Sequence, residues 1–381
     1  MMSFYAQRLS PNLKVTNTSE GAIFYSHSLT HLASSGRLFR VIDNPANLQK
    51  NVIRGAQLPL LAEHLPTSAR TGVDTPGIDS ALLVPVREFV SRDSKQVRAQ
   101  LVRIGFSLAT TKPVSPRPEQ EKLLDCMACV VEALHAGSLM IDDIQDADEL
   151  RRGKAALHMQ IGVPRTINAA NWLYFWPTDL LRQQTLEPAM ELEIYRLFHK
   201  TMMRAHQGQA LDLGHDMTQT SQAEVLEISI AAIELKTGEL TAMCSELGAI
   251  VGNAEPTRRR LLATLGQRFG VALQMFNDIG EVFSKIKNDQ ALRPLLRPSW
   301  VWAVAARELS SEEFSKFQTI MGGLCTTGTI VNQIVKRATE LATVEFEHCL
   351  DEIDSLVKTD GHMLAQQSLR DLAQKVMSAY A

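Results

Sequence analysis

The sequence predicts an all-α protein, and three observations carry that prediction. Apolar residues recur at helical spacing through nearly all of the chain from about Ala81 onward. No stretch alternates apolar and polar residues over the length of a strand, and the breaks between periodic segments fall at Pro and Gly sites. The periodic segments are Pro85–Leu108, Glu119–Ile141, Asn168–Arg182, Glu187–Leu213, Ala223–Val251, Thr257–Lys285 and Glu312–Leu356. No internal repeat relates them to one another. Helices of this length bury their apolar stripes against each other as a bundle, and such a bundle builds its sites from side chains on facing helices.

Residues 1–80 read differently. Ser, Thr, Asn, Pro and Gly are mixed through them, and Leu65–Ser80 (LPTSARTGVDTPGIDS) reads as a linker, so the expected organisation is an irregular extension over 1–80 and one all-helical domain over 81–381. The extension has too little Arg and too little amphipathic pattern for a transit peptide. With 381 residues and 45% hydrophobic content the chain has ample material for a core. A net charge of −3 argues against nucleic acid as a partner, because positive charge is local, as at Arg151 and Arg152. Five cysteines, an odd number, with no recognisable signal peptide point to a reduced, cytoplasmic or otherwise intracellular setting. Cys126 and Cys129 form a C-x-x-C inside an apolar helix with no second ligand pair, so packing is the simpler reading than zinc or redox chemistry. No apolar run reaches the roughly eighteen residues of a stable membrane span.

The chemistry concentrates at the end of the second helix. Leu123, Met127, Val130, Val131 and Leu134 form one stripe, so this helix packs into a core, and it leads directly into HAGSLMIDDIQDADELRRG, His135–Gly153. Asp142 and Asp146 stand at i and i+4 and share a face, while Asp143 lies about 100° round from Asp142. Mg2+ is usually held by one or two carboxylates together with substrate phosphates and water. Arg151 and Arg152 follow at once, and guanidinium groups match phosphate oxygens bidentately. A Mg2+-loaded phosphate compound is therefore the expected ligand, with Asp142, Asp143 and Asp146 as candidate metal ligands. The plain alternative is a solvated acidic helix end, but a core helix has no structural need to deliver three carboxylates, a histidine and two arginines to one end.

The segment HAGSLMIDDIQDADELRRG, continuing through INAANWLYF (Ile167–Phe175), resembles the first aspartate-rich region of the trans-isoprenyl diphosphate synthases, most nearly the eukaryotic-type geranylgeranyl diphosphate synthases. Three further elements resemble that family in its own order: SKQVRAQL (Ser94–Leu101), HQGQALDL (His206–Leu213) and LKTGEL (Leu235–Leu240). The resemblance implies the isoprenoid synthase fold, a helical bundle around a central apolar cavity, with three Mg2+ ions bridging carboxylates and an allylic diphosphate while isopentenyl diphosphate attacks. It implies catalytic roles for Asp142, Asp146, Lys236, Gln274 and Asp278. It implies substrate contacts at Lys95, Arg98, His135, Arg151, Arg152, Thr237 and Lys287, and a homodimer or higher homo-oligomer. In the family the residues four and five before Asp142, here Ser138 and Gly137, set how far a growing tail passes; Tyr174, Phe175 and His206 match floor positions, so a C20 product is implied.

One departure bears on activity. The family's second aspartate-rich motif is represented by LQMFNDIGE (Leu273–Glu281), where Asn277 replaces the first aspartate and leaves Asp278 as the candidate ligand. Gln274 and Asp278 still share a face at i and i+4. Asn277-Asp278 also begins like the NDxx(S/T)xxxE motif of class I terpene cyclases, although Glu281 and Lys285 occupy its serine and glutamate positions. Three readings stay open: a chain-elongating prenyltransferase, a terpene synthase derived from the same fold, and a weakly active or non-catalytic subunit of a heteromeric synthase. The pair Lys95 and Arg98, read at i and i+3 of one helix, favours the first, since a cyclase has no second diphosphate to hold. RPLLRPSW (Arg293–Trp300) is read as a helix break whose arginines could reach diphosphate, without being assigned to the site, and the tryptophans are read as core or interface aromatics.

Overall fold

The computed structural model describes residues 61–66, 77–112, 114–287, 295–324, 329–360 and 363–377. Most of the expected extension, and Cys325, lie outside these residues. The described residues are helical apart from one two-stranded hairpin and the connecting turns, as the periodicity predicts.

The helices are α1 (Leu61–His64), α2 (Val84–Val90), α3 (Val97–Ser107), α4 (Pro118–Gln145), α5 (Leu157–Ile161), α6 (Val163–Arg182), α7 (Pro188–Gly214), α8 (Gln222–Ile233), α9 (Glu239–Val251), α10 (Pro256–Lys287), α11 (Trp300–Glu308), α12 (Ser311–Thr319), α13 (Thr329–Asp360) and α14 (Met363–Met377). Strands β1 (Leu150–Arg151) and β2 (Lys154–Ala155) lie between α4 and α5. Pro occupies the first turn of α4, α6 and α7, where its missing N–H costs nothing. Ser221 and Ser310 cap α8 and α12 through their hydroxyls.

Buried α9 sits at the centre, packed on α3 and α10, with α7 alongside, while α4 packs on α6 and α3. By length and composition α4 would suffice to cross a membrane, its most apolar window having a mean hydropathy of 1.5, contrary to the expectation that no run is long enough. That window is 67% buried inside the bundle, which accounts for its apolarity. Leu61 and Leu65, inside the segment read as extension and linker, are buried in a cluster with Phe89, Met140 and Trp176. Cys126 and Cys129 are buried free thiols, pushed up by that burial. Trp300 and Trp302 are buried too, their indole N–H groups donating to Ala338 O at 3.0 Å and Leu295 O at 2.7 Å.

Several boundaries differ from the sequence reading. The expected helix Pro85–Leu108 is two helices, α2 and α3, separated by a loop in which Gln96 takes φ 46°. The expected helix Ala223–Val251 is interrupted by a π-helical turn, Glu234–Gly238. The break expected over Arg293–Trp300 is present in its described part: residues 295–299 hold no α-helix, and Pro298 lies just before the first turn of α11.

Candidate functional site: an acidic mouth on an apolar cavity

α4 brings the first motif to the mouth of a cavity of about 1280 Å³. His135, Ser138, Asp142 and Asp146 all face it. Asp142 accepts a hydrogen bond from Gln209 Nε2 of α7 at 2.9 Å and lies 3.7 Å from Lys236 Nζ. Asp146 is the C-cap of the helix. Asp143 departs from expectation: it is fully buried, away from the cavity lining, and ion-paired with Arg151. The 100° offset that separates it from Asp142 turns it into the protein, so it orients an arginine and is not placed as a metal ligand.

That arginine rides on the hairpin. Arg152 (φ 54°) and Gly153 (φ 74°) are the two turn residues, both left-handed, as a tight two-residue hairpin requires. Buried Arg92 clamps both strands, donating to Arg151 O at 3.1 Å and Ala155 O at 3.0 Å. The effect is to aim Arg151 and Arg152 into the cavity from a short, braced support. The absence of β-alternation misled the sequence reading here, because two residues per strand are too few to alternate.

Arg98, His135 and Arg152 also line the cavity. Burial, and then the neighbouring arginines, hold His135 well below the usual histidine range, so it is neutral. Burial lowers Arg98 while Glu132 opposes the drop, and Arg98 Nε is buried without a hydrogen-bond partner. Lys95 does not share a helix with Arg98. It is exposed in the loop ahead of α3 and does not line the cavity. The side chain of Lys287 lies outside the described residues.

The opposite wall comes from α7, the π turn and α10. Gly208 of the HQGQALDL element packs so close to Lys236 that a Cβ there would overlap the Lys236 backbone nitrogen, so only glycine lets α7 approach. The π turn carries Lys236 and Thr237, and bulges of this kind recur at functional sites because they re-aim side chains. Burial pulls Lys236 down, but Asp142 and Asp212 more than offset it and the net shift is upward: the ammonium is fixed. Thr237 Oγ1 donates to Gln274 Oε1 at 2.9 Å, and Gln274 Nε2 donates to Asp278 Oδ1 at 2.8 Å. Asp278 Oδ2 accepts from the Trp300 backbone N–H at 2.7 Å, so both its oxygens are engaged and it ties α10 to the start of α11. Burial pushes Asp278 up to about 7, against the pull of those two donors.

Sequence reasoning missed three residues. Gln209 and Asp212 line the mouth, and Asp212 accepts from Lys236 Nζ at 3.1 Å. Both are the polar positions of the quoted HQGQALDL element, which was the available signal. Arg297, set aside with the helix break, pairs with Asp146 and lies 3.5 Å from Asp212.

Tyr174 meets His206 edge-on, ring centroids 5.6 Å apart, and both line the cavity. Phe175 does not: it is 73% exposed on the outer face of α6. Gly137 also faces away from the cavity and marks the α4–α6 crossing, where an added Cβ would stand 3.0 Å from Ala170 O and 3.1 Å from the Tyr174 ring. Ser138 is the small residue that does line the passage.

Among the described residues no three His, Cys, Asp or Glu side chains are already gathered on one metal position. The donor set still fits a hard cation. Asp142, Asp146 and Asp212 present oxygen alone, and burial pushes Asp142 and Asp146 up against the pull of Lys236 and Arg297.

Comparison with known proteins agrees with this geometry. Over 218 residues, the chain is 32% identical to a bifunctional sesterterpene synthase from Talaromyces wortmannii, covering 56% of this chain and 26% of that protein. It is 31% identical over 204 residues to a geranylgeranyl pyrophosphate synthase from Eremothecium gossypii, covering 52% and 60%. The matches thus span between 26% and 60% of those two relatives. A polyprenyl synthase from Caulobacter crescentus, solved with calcium and isoprenyl diphosphate, shares the fold with a TM-score of 0.58 at 19% identity, over 84% of this chain and 93% of that one. Residues 79–321, which hold the α4 carboxylates, the braced hairpin, the π turn and the second motif, match the polyprenyl synthetase family, and the chain belongs to that family.

Proposed function

We infer that the chain is a Mg2+-dependent trans-prenyltransferase that joins isopentenyl diphosphate to an allylic diphosphate and releases a C20 diphosphate. One observation carries this reading: a single cavity is lined by two sets of basic side chains, Lys236 with Arg151 and Arg297 beside the carboxylates, and Arg98 with Arg152 beside neutral His135. A cyclase needs only the first set.

In this reading Asp142 and Asp146, with Asp212, would hold the cations, which supply charge neutralisation for the departing diphosphate. Lys236, fixed in its charged form, and Arg151 take the diphosphate oxygens as the allylic C–O bond breaks and its electron pair leaves with them. Arg98 and Arg152 hold isopentenyl diphosphate so that its double bond attacks the allylic carbon. A C–C bond forms, and a proton passing from the isopentenyl unit to the departed diphosphate restores a double bond. Leu240, Leu273 and Val282 line the cavity and exclude the water that would quench the cation. Tyr174 and His206 stop the growing tail.

Val163, Ile167 and Phe175 are 41%, 40% and 73% exposed at helical spacing along one face of α6. That face supports assembly with a second copy, behind the cavity floor.

Incubation with Mg2+, isopentenyl diphosphate and farnesyl diphosphate tests the reading. A C20 diphosphate is expected. A hydrocarbon would establish the cyclase instead, as Asn277-Asp278 and the sesterterpene synthase relative suggest, and no product would favour a non-catalytic subunit.

A further inference from the structure

Arg297 is more firmly placed than a residue of a helix break has reason to be. Met217 N–H donates to Leu296 O at 2.8 Å, Trp302 Nε1 to Leu295 O at 2.7 Å, and Pro298 follows at once, so the backbone on either side is held. From that anchor the side chain reaches the mouth, where it is 30% exposed. Its Nη1 pairs with Asp146 and lies 3.5 Å from Asp212, and its Nη2 donates to Gln145 O at 3.0 Å, a carbonyl of the last turn of α4. One guanidinium thus bridges acceptors on α4 and α7. Lys236 does the same between Asp142 and Asp212. In the ligand-free chain each mouth-facing aspartate of the first motif is neutralised by a basic side chain of the protein.

This arrangement conflicts with the site's other task, because a cation held by Asp146 and Asp212 takes the oxygens the guanidinium now uses. Two positive groups on the same carboxylates repel. A displaced guanidinium beside a bound diphosphate finds there paired phosphoryl oxygens that its planar fork can bind bidentately.

Resting on the proposed diphosphate chemistry, we propose that Arg297 is an exchangeable counter-ion, closing the acidic mouth in the ligand-free chain and turning onto the diphosphate once cations occupy it. Cation and diphosphate then help each other bind: each removes the competitor or supplies the partner that the other needs, and the coupling is reciprocal. The first motif stays soluble and ordered without metal, and cations enter in force only with the substrate they serve. Asn277 makes this device pertinent, since a second motif with one carboxylate fewer leaves more of the diphosphate charge to a basic side chain.

Calorimetric titration of the full chain with Mg2+ alone, and with inorganic pyrophosphate at saturating Mg2+, tests the proposal. Arg297→Gln should tighten Mg2+ alone by about tenfold and weaken pyrophosphate by about tenfold or more, the scale of one charge-assisted hydrogen bond. Arg297→Lys should fall between wild type and Arg297→Gln in both titrations, and it carries the test if the glutamine variant melts early. Opposite signs are the signature. Changes in the same direction, or none, in a variant that folds overturn the exchange while leaving the prenyltransferase reading intact. Wild-type protein that binds no pyrophosphate at any Mg2+ concentration overturns both.

Discussion

Asp143 accepts a 2.6 Å hydrogen bond from Arg151 Nε across the turn that leaves α4. The middle carboxylate of the aspartate cluster therefore serves an arginine, and its neighbours one residue back and three ahead serve the cavity. Asp142→Ala or Asp146→Ala should cut turnover by about a hundredfold or more, on the scale of removing one transition-state charge contact, with the helical circular dichroism unchanged. Asp143→Ala should act mainly on stability. It leaves Arg151 with Asp148, 3.0 Å away, as its remaining acidic partner. The cost is about 1 kcal/mol, the low end for a lost partner, because Arg151 keeps some solvent. Retention of more than a tenth of activity in both mouth variants would sink the assignment of the metal ligands.

Asp278 makes ligand-free stability depend on pH. Its folded value is raised from 3.8 to about 7, so the fold favours the protonated carboxyl. That contribution is complete below the ordinary value and is lost as pH rises through about 7. Thermal melts without metal should accordingly fall from about pH 5 to about pH 8, and Asp278→Asn should flatten the slope while keeping an acceptor for the Trp300 N–H. An unchanged slope in that variant would assign the effect elsewhere. Mg2+ affinity should run the opposite way, because ligating carboxylates must be ionised to bind it.

The fold class was legible in the sequence because long amphipathic helices repeat a pattern over dozens of residues. The hairpin was not, since its signal is carried by one left-handed pair, Arg152 and Gly153, and a left-handed arginine has no composition cue. Local spacing predicted that Asp142 and Asp146 would share a face. It could not tell that Asp143 faces Arg151, because burial of a helix flank depends on the tertiary neighbours. Lys95 failed for a related reason: a helix was extended through Gln96, whose positive φ begins α3 afresh. Arg297 could be read as within reach of diphosphate, but its pairing could not, because its partners lie on α4 and α7, about 150 and 85 positions away.

Tail length should respond to Tyr174 and Ser138, the residues of their neighbourhoods that line the passage. Tyr174→Ala should lengthen the product beyond C20 and Ser138→Phe should shorten it, read by sizing the dephosphorylated alcohols. Gly137→Phe, by contrast, should disrupt the α4–α6 crossing, at about 1 to 3 kcal/mol or more for overpacking, and lower the melting temperature. Phe175→Ala should leave product length unchanged. Phe175→Glu should instead lower the mass measured by sedimentation, since it places a charge on the exposed α6 face. An unmodified protein that stops at C15 would show that Tyr174 and His206 are not the floor.

Asn277 is the most informative single position. It lines the cavity beside Asp278, whose two oxygens accept from Gln274 and the Trp300 amide, while Glu281 of the same helix lines the cavity too. A carboxylate at 277 would add one negative charge within the same mouth, where Lys236 and Arg297 already balance the opposite wall. Asn277→Asp should therefore tighten Mg2+ in the presence of pyrophosphate by about tenfold, the effect of one added charged ligand. Elongation should rise with it if the second motif limits the reaction. Tighter binding with slower elongation would mean that the wall has been retuned around the amide, and that Arg297 already supplies the charge which the missing carboxylate would have recruited as metal.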